Sequence, residues 1–438
     1  MIWIIGVTMK NKIIYLPLAV DILHNGHLNI INKAKRYGKV VIGLLSDKAI
    51  AEYKTLPSLG YNERLNIVKN LKNVYKIIKQ DTWDYSETIN KLKPDYFIHG
   101  DDWKSGIQKN TRKKVIKLLK KNNGKLIEVP YTQNISSTVI KSSLINYLTP
   151  PSRTSILSRL IQSKKIVRLL ECHSPLSGLI IENLKLKNKK KTEEFDAMWS
   201  SSLTDSSIKG KPDNQSLDFS SRFSGLGDIM DVTTKPLIFD ADNGGRLEHI
   251  PFTIRTLERL GVSAIMMEDK IGLKKNSLFS NQSGAKQDSI KNFCQKIELI
   301  KKTRNSKDFL IGARIESFIL GKGLNDGLKR AKAYSEAGAD LILIHSKAKL
   351  PKEIFSFSKI FNKTKYSKPL VSVPSTYSKT NEKELIKNGF KVVIYANHML
   401  RAAYPAMKNA AVSILKNQRS YDLEKKISSV KNIINLIK

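Results

Sequence analysis

Short apolar runs alternate along this chain with longer stretches in which apolar residues recur every three or four positions. Lys12–Leu16, Val40–Leu45, Tyr96–His99 and Lys125–Val129 are strand-sized runs. Leu28, Ile31 and Ala34 keep helical spacing up to a Gly38 stop, and Tyr61–Leu71 and Thr111–Lys121 read as helices. This alternation predicts a doubly wound, Rossmann-like parallel sheet over residues 9–147. Thr149-Pro150-Pro151-Ser152 interrupts it, and residues 148–155 read as a linker. A helix from Ile156 opens a second series. Its strand-like runs are Gly178–Ile181, Ala197–Trp199, Leu237–Phe239, Ala264–Met267, Leu310–Ala313, Leu341–Ile344, Leu370–Val373 and Val392–Tyr395. Eight such units over residues 156–438 predict a closed (β/α)8 barrel of the TIM type.

Composition narrows the function classes. A chain of 438 residues with 41% hydrophobic content can bury two or three cores. The longest apolar runs are strand-sized, so no membrane span is expected. The opening MIWIIGVT lacks a basic leader and a cleavage site, and Met9 is an alternative start. Two cysteines, Cys172 and Cys294, make neither a disulfide framework nor a metal knuckle, which fits a reducing cytoplasm. The formal charge of +37 invites a nucleic-acid partner. The lysines, however, are scattered among many Ile and Asn residues, as AT-rich coding would produce, and no aromatic-interleaved basic patch stands out. No nucleic-acid partner is expected.

His24-Asn25-Gly26-His27 puts two imidazoles at a helix start, where the dipole and free N–H groups favour phosphate. Both can reach one polyphosphate and stabilise charge during in-line displacement. A metal pair and a capping accident are the rival readings. HNGH, Tyr61-Asn62-Glu63-Arg64, Gly100-Asp101-Asp102-Trp103 and ISSTVIK from Ile135 together resemble the cytidylyltransferases, nearest to the glycerol-3-phosphate type. The resemblance implies that His24 and His27 bind the triphosphate of CTP and that Mg²⁺ bridges its phosphates. It implies that Arg64, Asp101 and Trp103 help hold the nucleotide, and that Ser137 and Thr138 grip the β- and γ-phosphates. Lys54 would contact the acceptor phosphate or the triphosphate. The family's Gly-Thr-Phe-Asp is Leu18-Ala19-Val20-Asp21 here, and its Arg-Thr-Glu-Gly is Tyr131-Thr132-Gln133-Asn134. These departures imply a changed acceptor, or a domain that binds without turning over.

Polar groups end successive runs of the second series. Asp240 and Asp242, two apart on an extended segment, would face one way and suit Mg²⁺, directly or through water; an acidic turn is the alternative. Glu268 ends the next run, followed by Asp269, Lys270, Gly272, Lys274, Asn276 and Ser277. That stretch reads as an acidic anchor with a mobile cationic flap, or as a solvated loop. Arg314 and Glu316 supply a fork donor for phosphate or carboxylate and a partner to orient it. His345-Ser346 and Trp199-Ser200-Ser201-Ser202-Leu203 end two further runs.

Together WSSSLT, DADNGG, EDKIGLKKNS, ARIESF and HSK resemble phosphoenolpyruvate mutase of the isocitrate lyase superfamily. The resemblance implies isomerisation of phosphoenolpyruvate to phosphonopyruvate, with an equilibrium on the phosphoenolpyruvate side. It implies a tetramer with a swapped C-terminal helix. Asp242 would anchor Mg²⁺, with Asp240, Glu268 and Asp213 acting directly or through water. Ser201 and the backbone near Ser202 and Leu203, beside Trp199, would hold the pyruvyl part. Arg314 and His345 would contact the phosphoryl group, and Lys274, Asn276 and Ser277 would gate the site. The lyases' catalytic cysteine has no counterpart in this flap. Phosphonopyruvate hydrolases lack the asparagine that stands here as Asn276. The combined reading is a bifunctional phosphonate enzyme, its CMP acceptor 2-hydroxyethylphosphonate or 2-aminoethylphosphonate.

Overall fold

The computed structural model describes residues 11–52, 56–104, 108–130, 150–187, 192–272, 274–279 and 281–437. The chain divides into two compact units, one built around each sheet. The first holds five parallel strands: β1 (Ile13–Leu18), β2 (Lys39–Leu45), β3 (Lys76–Gln80), β4 (Tyr96–Gly100) and β5 (Lys125–Val129). Their order is β3-β2-β1-β4-β5, the doubly wound arrangement expected. Alternate residues of the inner strands feed separate cores. Ile14, Leu16, Ile42 and Leu44 pack in one with Ile31 and Ala34 of helix α1 (Asn25–Lys35). Tyr15, Val41 and Phe97 pack in the other with Ile89, Val115 and Leu119. Both faces are covered, so these strands read as unbroken apolar runs.

β3 was not among the strands expected. Its sequence, KIIKQ, lies at the sheet edge with Lys76 and Lys79 exposed, so it lacks a continuous apolar run. Strand order reverses between β1 and β4, which opens a crevice beyond their carboxyl ends.

The second unit is a closed barrel of eight parallel strands. They are β6 (Val167–Glu171), β7 (Ala197–Ser200), β8 (Leu237–Asp240), β9 (Ala264–Glu268), β10 (Leu310–Ile315), β11 (Leu341–Ile344), β12 (Leu370–Ser372) and β13 (Phe390–Tyr395). Each pairs with the next, and β13 pairs with β6 to close the ring.

One expected barrel strand is corrected. Gly178–Ile181 lies inside a helix, Pro175–Asn183, and the first barrel strand is Val167–Glu171. A short apolar run cannot separate strand from buried helix by pattern alone. The local chemistry decides it: Ser174 caps the helix by accepting from the Ser177 N–H, and Pro175 takes the first helical position. Pro150-Pro151, taken as part of a linker, likewise opens a helix, Pro150–Ser163. Among the described residues no helix is long and apolar enough to cross a membrane.

Candidate active site

A cleft with an empty volume of ≈ 600 Å³, part of it open to solvent, lies at the carboxyl ends of the barrel strands. Trp199, Ser201, Ser202 and Leu203, at and after β7, form one wall. Asp240 and Glu268 come from the ends of β8 and β9, and Asp213 from the loop between β7 and β8. Arg314 and His345 reach in from β10 and from just after β11. Lys274, Asn276 and Ser277 close it from the segment after β9. Asp242 joins the group through an ion pair with the Lys274 ammonium.

Asp240 and Asp242 converge differently from the extended geometry expected. Asp242 is left-handed, with φ 51, so the chain turns at it. The turn brings the Asp242 N–H to 3.2 Å from Asp240 Oδ1. Gly244 follows at φ 80, and a Cβ there would meet Met267 Sδ at 2.5 Å, so the turn needs this glycine. Arg222, buried on the helix Phe219–Val232, braces the loop. It donates to the Asp240 carbonyl at 2.6 Å and to Asp205 at 2.9 Å, and stacks 4.1 Å from the Phe239 ring centre.

The flap closes onto this acidic corner. Lys274 Nζ lies 2.5 Å from Asp213 Oδ1 and 2.5 Å from Ser202 Oγ. Asn276 Nδ2 donates to the other Asp213 oxygen at 2.9 Å. Burial opposes the Lys274 charge, but Asp242, Asp240 and Asp213 more than offset it and raise its pKa. Burial also opposes charge on Asp240, where Lys274, Arg314 and Arg222 win and hold it down. Glu268 is pushed up to about 7, because burial outweighs its cationic neighbours and Glu316 repels it.

The opposite wall is a cation held by two acids. Arg314 Nε donates to Glu316 at 2.5 Å, and Arg314 Nη2 lies 3.3 Å from Glu268. Nη2 also lies 2.9 Å from Ser277 Oγ and 2.9 Å from His345 Nδ1. Ser277 donates to Glu316 at 2.6 Å. Burial works against the Glu316 charge, yet Arg314 and His345 hold its carboxyl well below the usual range. Burial, aided by Arg314, pushes the His345 pKa down, so its imidazole is neutral near pH 7.

Among the described residues no three His, Cys, Asp or Glu side chains alone enclose a metal ion. Asp242 Oδ1 is nevertheless buried, accepts no hydrogen bond and faces a cation. Such an oxygen, with Asp213, Asp240 and Glu268 nearby, fits a hard cation that keeps several of its waters.

In the first unit, His24 and His27 stand at the carboxyl end of β1, and Asp101 at that of β4, beside the order reversal. His24 is the helix cap: its Nδ1 accepts the Gly26 N–H at 3.1 Å. His27 Nδ1 accepts the His24 N–H at 3.4 Å, and the two rings are 4.0 Å apart. Each Nδ1 is thereby assigned as an acceptor, which leaves the ring proton on Nε2 as a donor. The Gly26 N–H is spent on the His24 cap, so the helix start contributes its dipole rather than that donor.

Two other residues expected to hold nucleotide are core residues. Arg64 is fully buried and donates to the carbonyls of Ala19 (2.5 Å), Leu45 (2.8 Å) and Leu59 (3.1 Å) and to Asp47 (2.7 Å). Its guanidinium is committed to the loops that follow β1 and β2, so it positions those loops. Trp103 is buried, stacks 3.9 Å from His99 and donates to Glu128 at 2.8 Å. Lys54, Ser137 and Thr138 lie outside the described residues.

Sequence reasoning missed Arg222, Lys270, Ser375 and Asn397; the last two also line the barrel cleft. Arg222 lies eighteen residues before Asp240 with no local signal. Lys270 had one, as the third residue of the EDK stretch.

The family described as phosphoenolpyruvate phosphomutase matches residues 157–415, and the cytidylyltransferase-like family matches residues 20–143. The phosphoenolpyruvate phosphomutase of Tetrahymena pyriformis is 33% identical over 68% of this chain and 95% of its own. The phosphonopyruvate hydrolase of Variovorax sp. (strain Pal2) is 31% identical over 65% of this chain and 94% of its own. The ethanolamine-phosphate cytidylyltransferase of Arabidopsis thaliana is 33% identical over 20% of this chain and 23% of its own.

Proposed function

Because the chain belongs to the phosphoenolpyruvate phosphomutase family, with a cytidylyltransferase-like domain ahead of the barrel, we propose that it is a bifunctional phosphonate-biosynthetic enzyme. The barrel isomerises phosphoenolpyruvate to phosphonopyruvate. The front domain transfers CMP from CTP to a phosphonate. The observation that carries the first half is the flap: Lys274 and Asn276 both close on Asp213 over the acidic corner.

The chemistry follows from the groups in place. The phosphoryl group leaves the enol oxygen through a loose, metaphosphate-like transition state. Arg314, held by Glu316 and Glu268, offers fixed N–H donors to its oxygens. Ser201, Ser202 and the backbone of Leu203 orient the carboxylate end, and Trp199 packs beside them. Asp242, with Asp240, Asp213 and Glu268 beside it, would hold Mg²⁺, which would supply Lewis-acid stabilisation of enolate charge. Neutral His345 adds a polar contact without a second positive charge beside Arg314. Lys274, Asn276 and Ser277 exclude water until C3 recaptures phosphorus.

For the front domain, the Nε2–H groups of His24 and His27 and the start of α1 face triphosphate oxygens beside β4. Ethanolamine phosphate, named for the Arabidopsis relative, differs from 2-aminoethylphosphonate only by its bridging ester oxygen, which the phosphonate lacks, its carbon being bonded directly to phosphorus. That favours the amino acceptor over 2-hydroxyethylphosphonate. The test is pyrophosphate release from CTP across both phosphonates, ethanolamine phosphate and glycerol 3-phosphate. Release with a phosphonate, abolished by His27→Ala, supports the reading. Release only with a phosphate ester, or unchanged in His27→Ala, refutes it.

The similar identity to a phosphonopyruvate hydrolase keeps hydrolysis as the second reading of the barrel. It predicts pyruvate and inorganic phosphate from phosphonopyruvate.

A further inference from the structure

Lys270 follows Asp269 after β9, and the mechanism above gives it no part. Its side chain is only 5% exposed. The ammonium donates to the Lys275 carbonyl at 2.8 Å and to Ser277 Oγ at 2.8 Å, both on the flap. It also lies 3.7 Å from Glu268 Oε1 and 3.6 Å from Glu316 Oε2. One cation thus joins the cleft acid Glu268 and the buried Glu316 behind it to the segment that covers them.

The geometry makes this contact conditional on closure. Lys270–Ile271 pairs antiparallel with Lys286–Gln287, so the two ends of the flap are clamped together. Lys270 belongs to that clamp, while Lys275 and Ser277 lie on the arch between its ends. Ser277 Oγ takes hydrogen bonds from Lys270 and Arg314 and gives its own proton to Glu316. Lifting the arch strips a buried ammonium of both close acceptors, which is costly in a dry site.

We infer that Lys270 is a positioning residue that latches the flap shut through Ser277 and the Lys275 carbonyl, and so sets whether carbon or water captures the phosphoryl group. The consequence for products rests on the mutase reading. When the latch fails, the enol O–P bond of phosphoenolpyruvate breaks and water oxygen bonds phosphorus. One water proton ends on C3, and the products are pyruvate and inorganic phosphate.

The test compares wild type, Lys270→Met and Lys270→Arg. Hydrogen exchange of peptides covering 272–285 is followed with Mg²⁺ and oxalate, a planar dianion shaped like pyruvate enolate. Lys270→Met is expected to speed flap exchange about tenfold or more, with barrel-strand protection unchanged. It is expected to raise the ratio of phosphate to isomerised product by about tenfold, and Lys270→Arg to restore most of both. Wild-type flap exchange in Lys270→Met overturns the latch. If wild type forms no phosphoenolpyruvate from phosphonopyruvate, the mutase reading fails while the exchange comparison still decides the latch. If Lys270→Met loses barrel protection, Ser277→Ala decides. It removes the latch's side-chain acceptor along with the Glu316 contact, so flap exchange unchanged, or no faster than in Glu316→Gln, overturns the inference, and exchange faster than in Glu316→Gln supports it.

Discussion

Asn276 and Ser277 are neighbours on the flap, yet they close onto opposite walls. Asn276 donates to Asp213 on the acidic side, and Ser277 donates to Glu316 on the cationic side. The lid is therefore seated at two points. Asn276→Ala removes one hydrogen bond to a charged acceptor, so isomerisation is expected to fall about ten- to a hundredfold. Pyruvate and phosphate should appear instead, read by phosphorus NMR; undiminished phosphonopyruvate formation would remove Asn276 from the lid. Glu268 offers a prediction in pH. Its folded pKa of about 7 lies above its ordinary value, so its contribution is most favourable at low pH and is lost as pH rises through 7. Glu268→Gln should therefore raise the metal-free melting temperature by a few degrees at pH 8 and much less at pH 5, on the order of 1–3 kcal/mol. An equal shift at both pH values would contradict the burial argument.

At the scale of elements, what was legible in the sequence is what repeats or carries charge at strand ends. β8, β9, β10 and β11 were legible because each is a buried apolar run closed by a polar group. Twelve barrel residues named in advance line one cleft, because a closed parallel barrel brings all its strand ends to one face. β3 and β6 were not legible. The first is a lysine-bearing edge strand, and the second, VRLLE, is short and preceded by Lys164 and Lys165. Nor could the pattern separate a ligand-facing arginine from one that ties loops. Arg64 is the second kind, with its donors spent on Ala19, Leu45, Leu59 and Asp47. Arg64→Ala strips those four acceptors of a buried donor and leaves a cavity in its place, at a cost of about 3–5 kcal/mol. Calorimetry should show the front domain melting earlier while the barrel transition stays in place.

On the scale of the molecule, the C-terminal segment is the part left uncovered. The helix His398–Asn417 has no buried residue, and Tyr404, Met407 and Leu415 on it are 64%, 57% and 79% exposed. Two short helices beyond it, Tyr421–Glu424 and Val430–Leu436, bury nothing either. Apolar area of this kind calls for a partner surface, and a second copy of the barrel would supply it in the tetramer that the resemblance implies. Light scattering should report a mass near four chains, and removal of residues 398–438 should reduce it to one; a full-length monomer would contradict that assembly. On the proposed function the two units would serve two steps, carbon–phosphorus bond formation and cytidylyl activation, with decarboxylation and then reduction or amination of the intermediate required between them. The barrel's step is the central claim, and its reverse direction tests it most directly. Phosphonopyruvate is incubated with the full chain and Mg²⁺, and phosphorus NMR follows the product. We expect the phosphonate resonance to be replaced by that of phosphoenolpyruvate; its replacement by inorganic phosphate, with pyruvate accumulating, would contradict the account.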